Sequence, residues 1–150
     1  MTRSTRIAPV QKVLEGKEQA QARKLGLAQQ AVTDAQARLL ELRTYQADYA
    51  AGFDKQVSHG AAVHVLQDYR AFLVRLVDAV RQQEQLVEKR QLEMAMQTAY
   101  WQSAARQSRG LDSVVAGWKR QEERVADRRD QAATDERALT MLLRKTGVLS

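Results

Sequence analysis

Leu66-Gln-Asp-Tyr69-Arg-Ala-Phe-Leu73-Val-Arg-Leu76-Val-Asp-Ala-Val80-Arg-Gln-Gln83-Glu-Gln-Leu-Val87 is the stretch that decides the fold. Its numbered residues recur at alternating intervals of three and four. That spacing keeps them on one stripe of an α-helix and is the signature of a coiled-coil seam. The stripe continues through Arg90, Met94, Gln97, Trp101, Ala104, Ser108, Leu111, Val115, Trp118, Glu122, Val125, Arg129, Ala132, Glu136, Leu139 and Leu143. It passes Gly110 without a skip, which predicts one continuous helix over about 61–145. At about 1.5 Å of rise per residue, such a helix is on the order of 120 Å long.

A second seam lies upstream, at Leu25, Ala28, Val32, Ala35, Leu39, Leu42, Gln46 and Tyr49. Pro9 suits a first helical turn, where its missing N–H costs nothing. Helix 1 is therefore expected over about 9–51. Between the seams, residues 52–60 hold Gly52, Asp54, Ser58, His59 and Gly60, the clearest turn signal in the chain. Gly147 lies just beyond helix 2, as expected of a C-terminal stop. The expected fold is all-α: two long helices in an antiparallel coiled-coil hairpin, the second longer, as a single domain over 1–150.

Composition agrees. The chain has 44% hydrophobic residues but only 5% aromatic ones, with one proline and no cysteine. Ala, Gln, Leu, Arg and Glu dominate, as in long helices rather than compact globules. The lack of cysteine excludes disulfides and thiolate metal sites and fits a reducing compartment. No apolar run approaches the roughly 18 residues of a membrane span, and residues 1–9 lack an apolar signal core. The expected location is cytoplasmic.

The two seams can be laid against each other. If the pairing is centred between Val57 and Ser58, Tyr49 meets Leu66, Gln46 meets Tyr69, Leu42 meets Leu73 and Leu39 meets Leu76. Ala35 then meets Val80, and Ala28 meets Val87. Upstream of Leu25 the seam turns polar, at Gln21, Glu18, Leu14 and Gln11, while a rival stripe of Val10, Val13, Ala20 and Leu27 emerges. Looser packing is expected there.

Two features beyond the seam point to binding. The flanks of the hairpin differ: Arg38, Tyr45, Val65, Phe72, Ala79 and Leu86 line one side, and Gln29, Gln36, Arg43, Arg70, Val77, Glu84 and Gln91 the other. A freely soluble hairpin would have two polar sides, and exposed apolar patches tend to mark interaction sites. In addition, helix 1 is expected to cover helix 2 only to about residue 105. The rest keeps an apolar stripe that includes Leu111, Val115, Trp118 and Val125. An unpaired apolar stripe needs a partner, a second copy or a fold-back at Gly110; a partner protein or an oligomer is the reading adopted.

Chemistry is absent from the pattern. His59 and His64 fit neither a helical metal pair nor a zinc motif. No phosphate loop or nucleophile elbow occurs. The acids alternate with bases, as in Gln121-Glu-Glu-Arg-Val-Ala-Asp-Arg-Arg-Asp130, which reads as a solvated helix surface. No enzyme, cofactor or metal site is expected. Net charge is +6, concentrated toward both termini: residues 1–24 carry six Lys/Arg against two Asp/Glu. Basic and acidic residues are mixed and no basic block precedes a zipper, so a nucleic-acid-binding rod is an alternative rather than the reading.

The run Leu42-Arg-Thr-Tyr45-Gln46-Ala-Asp-Tyr49, the turn with His59-Gly60, then Tyr69-Arg-Ala-Phe72-Leu73, Leu76 and Ala79, with Trp101 further on, resembles the FliJ family of flagellar type III export proteins. The ordered Tyr, Tyr, Tyr, Phe and Trp around one turn carry the likeness. The resemblance implies a non-enzymatic, central-stalk-like protein that docks into the hexameric ring of the export ATPase FliI. It implies contact with the membrane export gate FlhA, escort of export chaperones and peripheral association with the membrane machinery. The gate-contact positions it implies are Leu42, Tyr45, Tyr49, Phe72, Leu76 and Ala79. Arg38 and Gln83 depart from the enteric pattern, where Gln and His are expected. A stalk of a virulence type III secretion system is the alternative within the same class.

Overall fold

The computed structural model describes residues 1–147. Two helices make up the fold: α1 (Arg3–Ser58) and the longer α2 (Val63–Lys145), packed against each other as a hairpin. α2 runs unbroken through Gly110, as the uninterrupted spacing predicts.

α1 begins at Arg3 rather than near Pro9, because Thr2 caps it. The Thr2 Oγ1 accepts the Thr5 N–H at 3.3 Å, and the Thr2 carbonyl accepts the Arg6 N–H at 3.1 Å. A side-chain oxygen two or three residues ahead of orphan N–H groups is what a helix start requires. Pro9 then sits inside the helix, still close to its N-terminus.

The turn is also shorter than expected. Gly52 and Asp54 remain helical, since an interior glycine costs only about 1 kcal/mol. The stop comes at Gly60, whose φ of 70° is the left-handed conformation that glycine adopts freely. The Gly60 N–H reaches the Val57 carbonyl and the Ala61 N–H reaches the Gln56 carbonyl, the paired bonds of a Schellman cap. Lys55 lies in that last turn, and Arg144 and Lys145 in the last turn of α2, where cations suit the helix dipole. Gly147, at φ 74°, is likewise left-handed at the end of α2, and its N–H reaches the Arg144 carbonyl.

The later turn shifts the pairing. Tyr49 packs on Tyr69 and Phe72, with centroids 5.2 and 4.4 Å apart, and Phe53 packs on Tyr69 at 6.4 Å. The expected match of Tyr49 with Leu66 is thus replaced by one about a heptad further along α2. A slip of one heptad keeps every seam residue in the seam, so the spacing alone cannot distinguish the two registers.

The chain divides into two compact units. The turn unit, Gln19–Ser103, has an aliphatic core of Ala35, Leu39, Val80 and Val87, with Leu42 packed against it. Val32 and Leu76 are buried as well. Gln83 enters this seam satisfied, donating from Nε2 to the Ala35 carbonyl at 3.0 Å.

The termini unit comprises Met1–Glu18 with Ala104–Ser150. Its seam is small and polar: Ala105 and Ser108 are each 3% exposed, and Ser4 is 8% exposed. Looser packing was expected here, yet Val115, at 1%, is the most deeply buried apolar residue of the described chain. Of the rival stripe, Val10, Val13 and Leu27 are exposed and Ala20 is half-buried, while the register at Gln11, Leu14, Glu18 and Gln21 is half-buried throughout. Because α1 starts early and turns late, it covers α2 out to Glu122, not residue 105. Beyond that, residues 123–139 are all exposed.

Candidate partner-binding surface

The side of the turn unit expected to be apolar carries a groove of about 770 Å³. α1 contributes Leu40, Leu42 and Tyr45, and α2 contributes Phe72 and Leu76 one turn apart. Residues spaced by three or four stand one above another on a helix, which aligns the groove's walls. Tyr45 is 60% exposed and Leu40 67% exposed, so large apolar surface faces solvent here. Arg38 and Glu41, paired at 3.1 Å, form a charged rim.

The opposite side differs in kind. Arg43 and Glu84 bridge the two helices at 3.1 Å, and the shallow groove beside them adds Arg81 and Glu88. Both members of the bridge are largely exposed, and such surface pairs contribute about 0–1 kcal/mol. The asymmetry is therefore one of surface chemistry: an apolar trough on one flank and a mixed-charge flank on the other.

Of the six expected gate-contact residues, Leu42, Tyr45, Phe72 and Leu76 line the groove. Tyr49 adjoins it through its ring contact with Phe72. Ala79 is half-buried and does not line it. Leu76 is only 7% exposed, so most of its surface belongs to the seam. Leu40 went unnoticed in the sequence because it lies outside both the seam and its flanks. The signal available was a leucine beside Leu39 with no seam position to fill.

Of the four residues expected on an unpaired overhang, three are not on one. Val115 is buried in the seam of the termini unit, and Leu111 and Trp118 are half-buried. The Arg3 guanidinium stands 5.0 Å from the Trp118 ring centroid, a cation–π contact from α1. These three are covered by the N-terminal turns of α1, which were expected to be elsewhere. Val125 alone remains open, 41% exposed, in a groove of about 390 Å³ with Arg3, Trp118, Glu122 and Arg129. The charge excess gathers in this unit. Residues 1–18 and 104–150 together carry fourteen Lys/Arg against nine Asp/Glu, whereas residues 19–103 carry ten against nine.

His59 and His64 flank the turn. The His59 Nδ1 lies 2.7 Å from the Lys55 carbonyl, and His64 is exposed. Among the described residues, no cluster of three or more His, Asp or Glu could hold a metal ion. No described helix is long and apolar enough to cross a membrane.

The family described as flagellar FliJ protein matches residues 3–147, nearly the whole chain. The chain matches no curated protein and no solved structure.

Proposed function

Since the chain belongs to the FliJ family of flagellar export proteins, we propose that it works by binding rather than catalysis, as a stalk-like component of the flagellar type III export apparatus. The observation that carries this reading is the apolar groove between Tyr45 and Phe72, set on a hairpin whose other flank is charged. In this reading the groove and its neighbour Tyr49 form the contact with the export gate FlhA. Tyr and Phe side chains are effective anchors, because they bring large rigid area at little entropic cost. Leu40, exposed on the groove's wall, joins the surface.

The termini unit, with its surplus of basic residues, is assigned to the ring of the export ATPase FliI. Basic surface raises the rate of encounter with an acidic partner more than it raises affinity. Of the four residues expected on the overhang, Val125 is the one open to such a contact. Escort of export chaperones, and peripheral association with the membrane machinery from the cytoplasm, complete the proposal.

A pull-down with the ATPase and with the gate's cytoplasmic domain tests it. Capture of both by the full chain is expected. The pair Tyr45→Ala and Phe72→Ala should lose the gate but keep the ATPase, with helical circular dichroism nearly unchanged. Capture of neither partner by the unmodified chain would refute the assignment.

A further inference from the structure

The start of α1 is held from outside. α1 has no acidic residue in its first turn, although the positive end of a helix dipole favours negative charge there. α2 supplies it. The Ser4 N–H donates to Glu122 Oε1 at 3.2 Å, and the Ser4 hydroxyl donates to Glu122 Oε2 at 2.5 Å. One residue of α1 thus engages both oxygens of one carboxylate. The Ser4 N–H is one of the orphan donors that every helix start must satisfy. Ser4 is 8% exposed, and an unmet donor at that depth is costly. Beside this contact, Arg3 lies over Trp118, and two turns further along α1 Gln11 Nε2 donates to Asp112 Oδ1 at 2.9 Å in an exposed bond.

We propose that Glu122 is a clasp: it caps α1 in trans, so that the first turns of α1 form a latch over Trp118 and Val115 that opens when this carboxylate is neutralised or drawn away. Thr2 meets only the Thr5 N–H, with its hydroxyl oxygen, and the Arg6 N–H, with its carbonyl. Without Glu122 the first turn of α1 keeps the Thr2 cap and the Arg3–Trp118 contact. Opening the latch exposes the apolar surface of Trp118 and Val115, the same residues whose spacing suggested an uncovered stripe.

The charged groups facing Glu122 are Arg3 from α1, with Lys119 and Arg129 from α2. The Ser4 hydroxyl bond, with the Ser4 N–H, Arg3 and Lys119, holds the Glu122 carboxyl below its ordinary range against the opposing effect of desolvation. A lowered folded-state pKa means that the clasp's contribution is complete above the unfolded glutamate value, about 4.3. It is lost as pH falls through the lower folded value.

Amide hydrogen exchange of the full chain tests the clasp, read at Arg6, Ile7, Ala8, Val10 and Gln11. At neutral pH, Glu122→Gln is expected to lower protection at these amides roughly fivefold or more, the scale of a lost helix cap. Ser4→Ala should do the same. The double variant should lose no more than the worse single one, because both remove one interaction. Protection across 25–95 should stay within about twofold, as for distant independent sites. On acidification below the glutamate range, the unmodified chain should lose protection at the same amides. Glu122→Gln should show no such loss. Unchanged protection in both single variants would overturn the proposal, and so would an acid response that persists in Glu122→Gln.

Discussion

The seams of the two units are built on different chemistry. In the turn unit, Leu39, Val80 and Val87 close an aliphatic core, and Tyr49, Tyr69 and Phe72 stack beside it. In the termini unit, Ser4, Ala105 and Ser108 are as deeply buried, and hydrogen bonds from Ser4 and Gln11 cross between the helices. The first seam supplies most of the stability, since each buried Leu or Val side chain is worth about 1.5–3 kcal/mol. The second supplies register. A slip by one heptad would leave aliphatic residues on aliphatic residues in the turn unit. In the termini unit it would part Ser4 from Glu122 and leave a buried donor unmet.

That contrast can be broken first in the cores. Leu39→Ala should cost about 2–5 kcal/mol in denaturant melts, the range for emptying a buried leucine site. Val115→Ala, in the termini unit, should cost about 2 kcal/mol, as expected from two methylene equivalents and a small cavity. Equal costs would show that the termini seam is as much an apolar core as the other.

A smaller effect, of opposite sign, should come from the polar end of the turn unit's own seam. The side-chain oxygens of Gln21 and Gln97 are buried there without a hydrogen-bond partner. Gln97→Leu should raise stability by about 1 kcal/mol in the same melts, because it removes an unmet acceptor and adds apolar contact. A loss instead would mean that these glutamines are paired in solution and add to the polar seam contact, Gln83 to the Ala35 carbonyl, that the turn unit already has. Smallest of all is Gly110→Ala. Nothing lies within 4 Å of the position a Cβ would take, so the gain should be about 0.5–1 kcal/mol from backbone entropy alone.

The sequence made the seam legible and left the register open, for a physical reason. Alternating intervals of three and four name the residues of the stripe, and every expected seam position of α2 from Leu66 to Glu122 is at least half-buried. Heptad spacing repeats, however, so Tyr49 fits opposite Leu66 or Leu73 equally well until the turn length is known. The turn was misread at Gly52, because glycine breaks a long helix only weakly; the left-handed residue that ends α1 is Gly60. The start of α1 was misread at Pro9, because part of its cap comes from Glu122, a long way along the chain. No local signal reports that contact. Of the groove, the flanking positions revealed Tyr45 and Phe72, and seam spacing supplied Leu42 and Leu76. Leu40 needed the structure, because it belongs to neither set.

The claim on which the functional reading depends is that the Tyr45 flank, and not the Arg43 flank, is the partner surface. Titration calorimetry of the gate's cytoplasmic domain against Tyr45→Ala and against Arg43→Ala tests it most directly, since both side chains are largely exposed and neither change should disturb the fold. The expected result is an affinity loss of about tenfold or more for Tyr45→Ala, the scale of a binding anchor, and near-unmodified affinity for Arg43→Ala. Unchanged affinity for Tyr45→Ala, or a larger loss for Arg43→Ala, would contradict it.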